Sequence, residues 1–144
     1  MNYMNYAIKE AYKAAKKGDV PVGAIIVMDG KIIARAHNKR EKNNNAIEHA
    51  ELIAISKACK KLKTWHLNNC ILYSTMEPCM MCSGAIIQSR IREIHYIIDN
   101  NQFGFINNIK NINIIKEENE EYRILLKNFF KQIRNSNVSR ETLE

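Results

Sequence analysis

His49-Ala50-Glu51 and Pro78-Cys79-Met80-Met81-Cys82 are the two stretches from which the rest of the chain is read. Each stands at the head of a segment with helical periodicity. From Glu48 to Leu62 the apolar residues Leu52, Ile55, Cys59 and Leu62 share one face. Pro78 sits where proline is tolerated, at the start of a helix expected to run to about Ser89. Cys79 and Cys82 are three apart in a first turn, so their sulfurs point the same way. The free N–H groups and dipole of that turn favour thiolates. His49, at another helix start, offers a third ligand. Two thiolates and an imidazole suit zinc, and three protein ligands with an open fourth position are the pattern of a catalytic site. The open position admits water, whose pKa such a site lowers towards about 7. Glu51 lies about 200° round an ideal helix from His49. It therefore does not share the metal from the same face, and reaches the site from the side as a proton shuttle.

Other readings of these residues stay open at this point. Cys-x-x-Cys alone is a redox pair, although such a pair has no need of a His-x-Glu element elsewhere. A structural zinc would recruit a fourth ligand from Cys59, Cys70, His37, His66 or His95, none of which forms a paired spacing with the others. Cys59, on the apolar helix face, and Cys70, at a strand start, read as core thiols. His37, His66 and His95 read as structural or surface residues.

Working outward, Met4, Ala7, Ile8, Ala11, Ala14 and Ala15 recur at helical spacing, with Lys9, Lys13, Lys16 and Lys17 between them and Gly18 placed to end the helix. Val22 to Met28 fits a buried strand, Asp29-Gly30 a hairpin turn, and Lys31 to Ala36 the returning strand. Asn38 to Asn45 is a polar loop. Ile71 to Ser74 and Arg92 to Ile98 are further strands, Asp99 to Asn108 a loop, and Asn111 to Lys116 a fifth strand. In the last helix Tyr122, Leu125, Leu126, Phe129, Phe130 and Ile133 make an apolar stripe beside Arg123, Lys127, Lys131 and Arg134. Phe129 and Phe130 are assigned mainly to packing. The tail from about Asn135 is expected to fray. This alternation predicts one α/β domain over residues 1–144, with a mixed five-stranded sheet covered by helices on both faces.

With 22 basic against 15 acidic residues the net charge is +7, which suits a polyanionic partner such as nucleic acid, or else a Lys-rich background with no partner. Four cysteines allow two disulfides. However, Met1 to Tyr6 holds no apolar run for a signal peptide, and no stretch of about 18 apolar residues spans a membrane. The expectation is a reducing, cytoplasmic setting, where closely spaced cysteines bind metal or do redox work.

His-x-Glu followed by Pro-Cys-x-x-Cys is the signature of zinc nucleobase deaminases. With Val20-Pro21-Val22-Gly23-Ala24, Thr75-Met76-Glu77-Pro78-Cys79-Met80-Met81-Cys82-Ser83-Gly84-Ala85 and Ser89-Arg90-Ile91, the chain resembles the bacterial tRNA-specific adenosine deaminases. The resemblance covers nearly the whole length. It implies the three-layer cytidine deaminase-like fold and one catalytic zinc per chain on His49, Cys79 and Cys82, with Glu51 as proton donor. Asn38, eleven residues before His49, matches the asparagine that hydrogen-bonds the target nucleoside. The reaction implied is hydrolysis of adenosine to inosine at the wobble position of a tRNA anticodon stem-loop, by a homodimer, with the base splayed into the pocket. Asn45-Ala46-Ile47-Glu48 departs from the family's Asp-Pro-Thr-Ala, and Asp99-Asn100-Asn101-Gln102-Phe103-Gly104-Phe105 lacks the lysine common in that loop. The alternatives are a free nucleobase or nucleotide deaminase of guanine or cytosine type, and a metal-stabilised RNA-binding module without enzyme activity. The net charge and the basic stripe of the last helix favour tRNA.

Overall fold

A computed structural model describes residues 2–141, with side chains to residue 136. The elements are α1 (Tyr3–Lys16), β1 (Gly23–Met28), β2 (Lys31–His37), α2 (Ala50–Leu62), β3 (Cys70–Ser74), α3 (Met80–Gln88), β4 (Glu93–Tyr96), a short 3-10 turn (Ile106–Asn108), β5 (Asn113–Lys116) and α4 (Glu120–Glu141). All nine predicted helices and strands are present. The frayed tail expected from Asn135 is helical backbone to Glu141, and the rest of that tail lies outside the described residues.

Local chemistry explains the first turns of the chain. Asn2 caps α1 by accepting the Met4 N–H. At the other end Gly18 takes φ +83°, and the N–H groups of Gly18 and Asp19 return to the carbonyls of Ala15 and Ala14. That paired return is a glycine-dependent helix stop. Asp29 and Gly30 both have positive φ, the turn a two-residue hairpin demands.

The five strands lie in the order β2-β1-β3-β4-β5. β1 is antiparallel to β2 and β3, whereas β3, β4 and β5 run parallel. β1 alternates between two cores. Ala24 and Ile26 face α2 and α3, packing with Ala50, Ala54, Ala58 and Ile86; Ile25 and Val27 face α1 and α4, packing with Met4, Ala7, Ile8 and Tyr122. The sheet is thus the middle of three layers. The buried stripe of α2 is rotated from the expected one: Ala50, Ala54, Ile55 and Ala58 are buried, while Leu52 and Cys59 are half-buried. Alanines let α2 lie close to the sheet, and the longer side chains fill its flanks. β4 stops at Tyr96, short of the expected Ile98, because Thr75 O takes the N–H groups of Ile97 and Ile98 and draws the strand's continuation aside.

This topology gathers one edge of the sheet. Antiparallel pairing sets the end of β2 and the end of β3 beside the start of β1, with Gly23 opposite His37 and Ala24 opposite Ser74. Parallel β4 ends on the same side. The N-termini of α2 and α3 open there, outside the carboxyl ends of the strands where ligands bind in open α/β sheets.

Candidate active site

His49 and Cys79 occupy equivalent places, each the residue before the first turn of its helix, in extended conformation. Pro78 therefore stands outside the helix, just before the Cys79 cap, rather than at its first position. Neither His49 nor Cys79 caps its helix with its own side chain, which leaves both free to turn into the space between α2 and α3. Cys82, in the first turn of α3, completes the group and is fully buried. His49 Nδ1 lies 3.7 Å from Cys79 Sγ and 3.5 Å from Cys82 Sγ, and the three ligand atoms fall within 4.8 Å of one another. Tetrahedral zinc with ordinary Zn–N and Zn–S bonds would set nitrogen and sulfur about 3.6 Å apart. The donor set and its spacing fit such an ion. Among the described residues this is the one such cluster, and Cys59, Cys70, His37, His66 and His95 take no part in it.

The same three residues shift one another's pKa values. The Cys82 thiol beside it, with His49 on the other side, pulls the Cys79 pKa down to about 4. Cys82 is pushed up by that same bond and by its burial, and Cys79 raises the pKa of His49. Glu51 follows in the first turn of α2 and is 4% exposed. Burial raises its carboxyl to about 7, against the opposing pull of its own backbone N–H and the His49 charge. A carboxyl poised there exists in both forms near neutrality, which is what a group that takes and returns a proton requires.

Asn38 follows β2 directly. Its Oδ1 accepts the Ala50 N–H at 2.8 Å, satisfying one of the open donors of α2. Because a backbone N–H needs an acceptor, that bond fixes the amide's orientation and leaves Nδ2 with its two hydrogens for the cavity. Asn38, His49, Glu51 and Cys79 all line one cavity of about 790 Å³, within the range of ligand sites.

A second wall comes from residues 100–105 and from α4. Phe130 lines the cavity and is 38% exposed, while its neighbour Phe129 is buried, so the pair assigned mainly to packing divides its labour. The loop is fixed by Glu77, a buried residue of the Thr75–Ala85 stretch to which the sequence assigned no role. Glu77 Oε1 accepts the Asn100 N–H at 3.1 Å, and Oε2 accepts from Asn107 Nδ2 at 3.4 Å. Gly104 pairs with Cys79 in an isolated antiparallel bridge and lies so close to the Glu77 carboxylate and Asn100 O that a Cβ has no room. Asp19, also buried, ties the 38–45 loop by accepting the N–H groups of Glu41 and Lys42. Lone acids such as these carry no spacing signal. Their one legible feature was adjacency to stretches already singled out.

The sequence matches the model of the MafB19-like deaminase family over residues 1–134. A tRNA-specific adenosine deaminase of Aquifex aeolicus is 39% identical over 93% of this chain and 95% of its own length. That of Bacillus subtilis is 54% identical over 64% of this chain, and the match spans only 57% of that relative. Among solved structures, one from a study of A-to-I editing by tRNA:A34 deaminases at the wobble position superposes with a TM-score of 0.74. It is 33% identical and covers 80% of this chain and 96% of that one. A guanine deaminase of Bacillus subtilis gives 0.67 at 32% identity, covering 94% and 95%. The geometry of the His49–Cys79–Cys82 cluster, the three-layer fold and these likenesses agree, and the chain belongs to the MafB19-like deaminase family, alongside the tRNA-specific adenosine deaminases.

Proposed function

We propose that this chain is a zinc-dependent tRNA adenosine deaminase that converts adenosine to inosine at the wobble position of an anticodon loop. The observation that carries the chemistry is the placement of Glu51, buried and with its carboxyl raised to about 7, beside the His49–Cys79–Cys82 cluster in one cavity. One zinc per chain on those three residues supplies Lewis acidity, lowering the pKa of a water at the site. Asn38 Nδ2 donates to an acceptor on the nucleoside and holds the base against the cluster. Glu51 Oε takes one proton as the water oxygen adds to C6 and passes it to the ring nitrogen, then takes the second from the hydroxyl so formed and passes it to the departing amine. The C6–N bond breaks, ammonia leaves and inosine remains. Phe103 and Phe130, which line the cavity, offer aromatic surface on which a splayed base stacks.

The choice of tRNA over a free base is supported by the relatives' names, by the +7 net charge and by the exposed Lys127, Lys131 and Arg134 of α4 flanking Phe130. We read residues 1–144 as one domain. Among the described residues no helix is long and apolar enough to cross a membrane. The likeness to tRNA-specific adenosine deaminases supports placing the protein in the cytoplasm, where tRNA is found. Exposed Met80, Met81 and Ile87 on α3 give an apolar face for a homodimer.

The test is a substrate panel. Inosine should form in an anticodon stem-loop RNA carrying a wobble adenosine, with no turnover of free guanine, adenosine or cytidine. Deamination of free guanine with none on the RNA would transfer the case to a free-base deaminase.

A further inference from the structure

The cavity has a rim that the reaction steps do not use. Gly18 turns the chain after α1, and buried Asp19 fastens the 38–45 loop against the helix end, Oδ1 accepting Glu41 N–H at 2.7 Å and Oδ2 accepting Lys42 N–H at 3.1 Å. Asp19, Arg40 and Glu41 line the same cavity as His49 and Glu51. This fastening brings together lysines separated by more than twenty residues of chain. Lys42 approaches Lys17 closely enough to hold the Lys17 pKa below the ordinary lysine value, with Lys39 and Lys13 adding to the effect. Lys17 and Lys42 are exposed and Lys39 is half-buried.

These charges are not balanced locally. Among the described residues, no carboxylate lies within ion-pair distance of Lys17, Lys39 or Lys42; the ion pairs lie elsewhere. Lys13 is paired with Glu10, and the Asp19 oxygens are turned to backbone N–H groups. Like charges held together repel, and the repulsion is offset when a polyanion supplies the counter-charge. The basic stripe of α4 differs: it is spread along one helix, and its first member, Arg123, faces Glu118 and Glu120.

We propose that Lys17, Lys39 and Lys42 form a phosphate-binding rim that grips the RNA backbone beside the nucleotide whose base enters the cavity. This rests on the reading of the substrate as RNA. The rim supplies affinity and register rather than sequence readout, since phosphate contacts position and base contacts specify. Its signature is the salt dependence of binding, with a slope of about 0.7 per phosphate neutralised on single strands.

The experiment measures Kd for a wobble-adenosine stem-loop across a salt series. The rim variant is Lys17→Gln/Lys39→Gln/Lys42→Gln. The control, Lys60→Gln/Lys61→Gln/Arg92→Gln, removes the same charge from exposed positions, and its two lysines lie about 15 Å along α2 from the site. The rim variant should bind on the order of tenfold more weakly, with a slope smaller by about 2. The control should keep most of the wild-type slope, and Lys→Arg at the three rim positions should restore Kd. Equal losses in rim and control variants, or no loss in the rim variant, overturn the proposal. A rim loss that Arg does not restore, with a collapsed thermal transition, also counts against it. Wild-type protein that neither binds nor deaminates the RNA would instead overturn the tRNA reading, and this inference with it.

Discussion

One wall of the cavity is made by the N-termini of α2 and α3, the other by the 100–105 loop and Phe130, and they are specified in different ways. In the first wall, ligand spacing and helix geometry act together within a few residues: Cys79 and Cys82 share a turn, as do His49 and Glu51. The second wall is held across the chain, by a Glu77 carboxylate 23 residues from the Asn100 N–H it accepts, and by the absence of a Cβ at Gly104. On the proposed reading the first wall carries the chemistry and the second shapes what reaches it.

The largest expected effect falls on the first wall. Cys82→Ser removes a thiolate that zinc prefers, and metal analysis should show near-stoichiometric zinc in the wild type and little in the variant, with ammonia release below detection. Treatment with a chelator should reproduce that loss in the wild type, and added zinc should restore it.

A smaller and different effect is expected from the second wall. In Gly104→Ala the new methyl meets the Glu77 carboxylate and Asn100 O, so the loop must move. Overpacking of this kind costs about 1–3 kcal/mol, and displacement of the wall should raise KM on the RNA while zinc content stays at the wild-type level. Zinc loss in Gly104→Ala would show that the walls are not separable in this way.

The smallest effect concerns what lies behind Asn38. His37 Nδ1 meets Glu10 Oε1 at 2.9 Å, and Glu10 Oε2 also meets Lys13. Burial lowers the His37 pKa below its ordinary 6.5 despite the Glu10 bond, and Nε2 is buried without a partner, so a proton added there has no acceptor. Burial alone would raise Glu10, but the bonds from His37 and Lys13 hold it below 4.5. Both groups bind fewer protons folded than unfolded. Stability is therefore fully present above about pH 6.5, declines below it as unfolded His37 takes up a proton, and declines further below about 4.5 as Glu10 is protonated. Urea midpoints measured across pH should show the first decline flattened in His37→Gln.

This contrast also explains what the sequence disclosed. The clustering of His49, Cys79 and Cys82 was legible because candidate metal ligands stand at short spacing at two helix starts, and α1, the β1–β2 hairpin and α4 because their periodicities are clean. The face of α2 was misjudged towards Leu52, since alanines carry little hydrophobic signal yet allow the closest packing on the sheet. Asp19 was missed because its partners are backbone N–H groups, which any residue supplies, and Glu77 because the Asn100 N–H and the Asn107 amide that it accepts from lie 23 and 30 residues away. Phe130 was separated from Phe129 only by the way α4 lies against the cavity.

The central claim is that Glu51 moves protons and does not hold the metal. Glu51→Gln keeps the size of the side chain and removes its acid–base function, which is worth about 10²–10⁴ in rate. Zinc content and ammonia release on the wobble-adenosine stem-loop should be measured together. The account predicts about one zinc per chain with deamination abolished; loss of the zinc, or turnover near the wild-type rate, would contradict it.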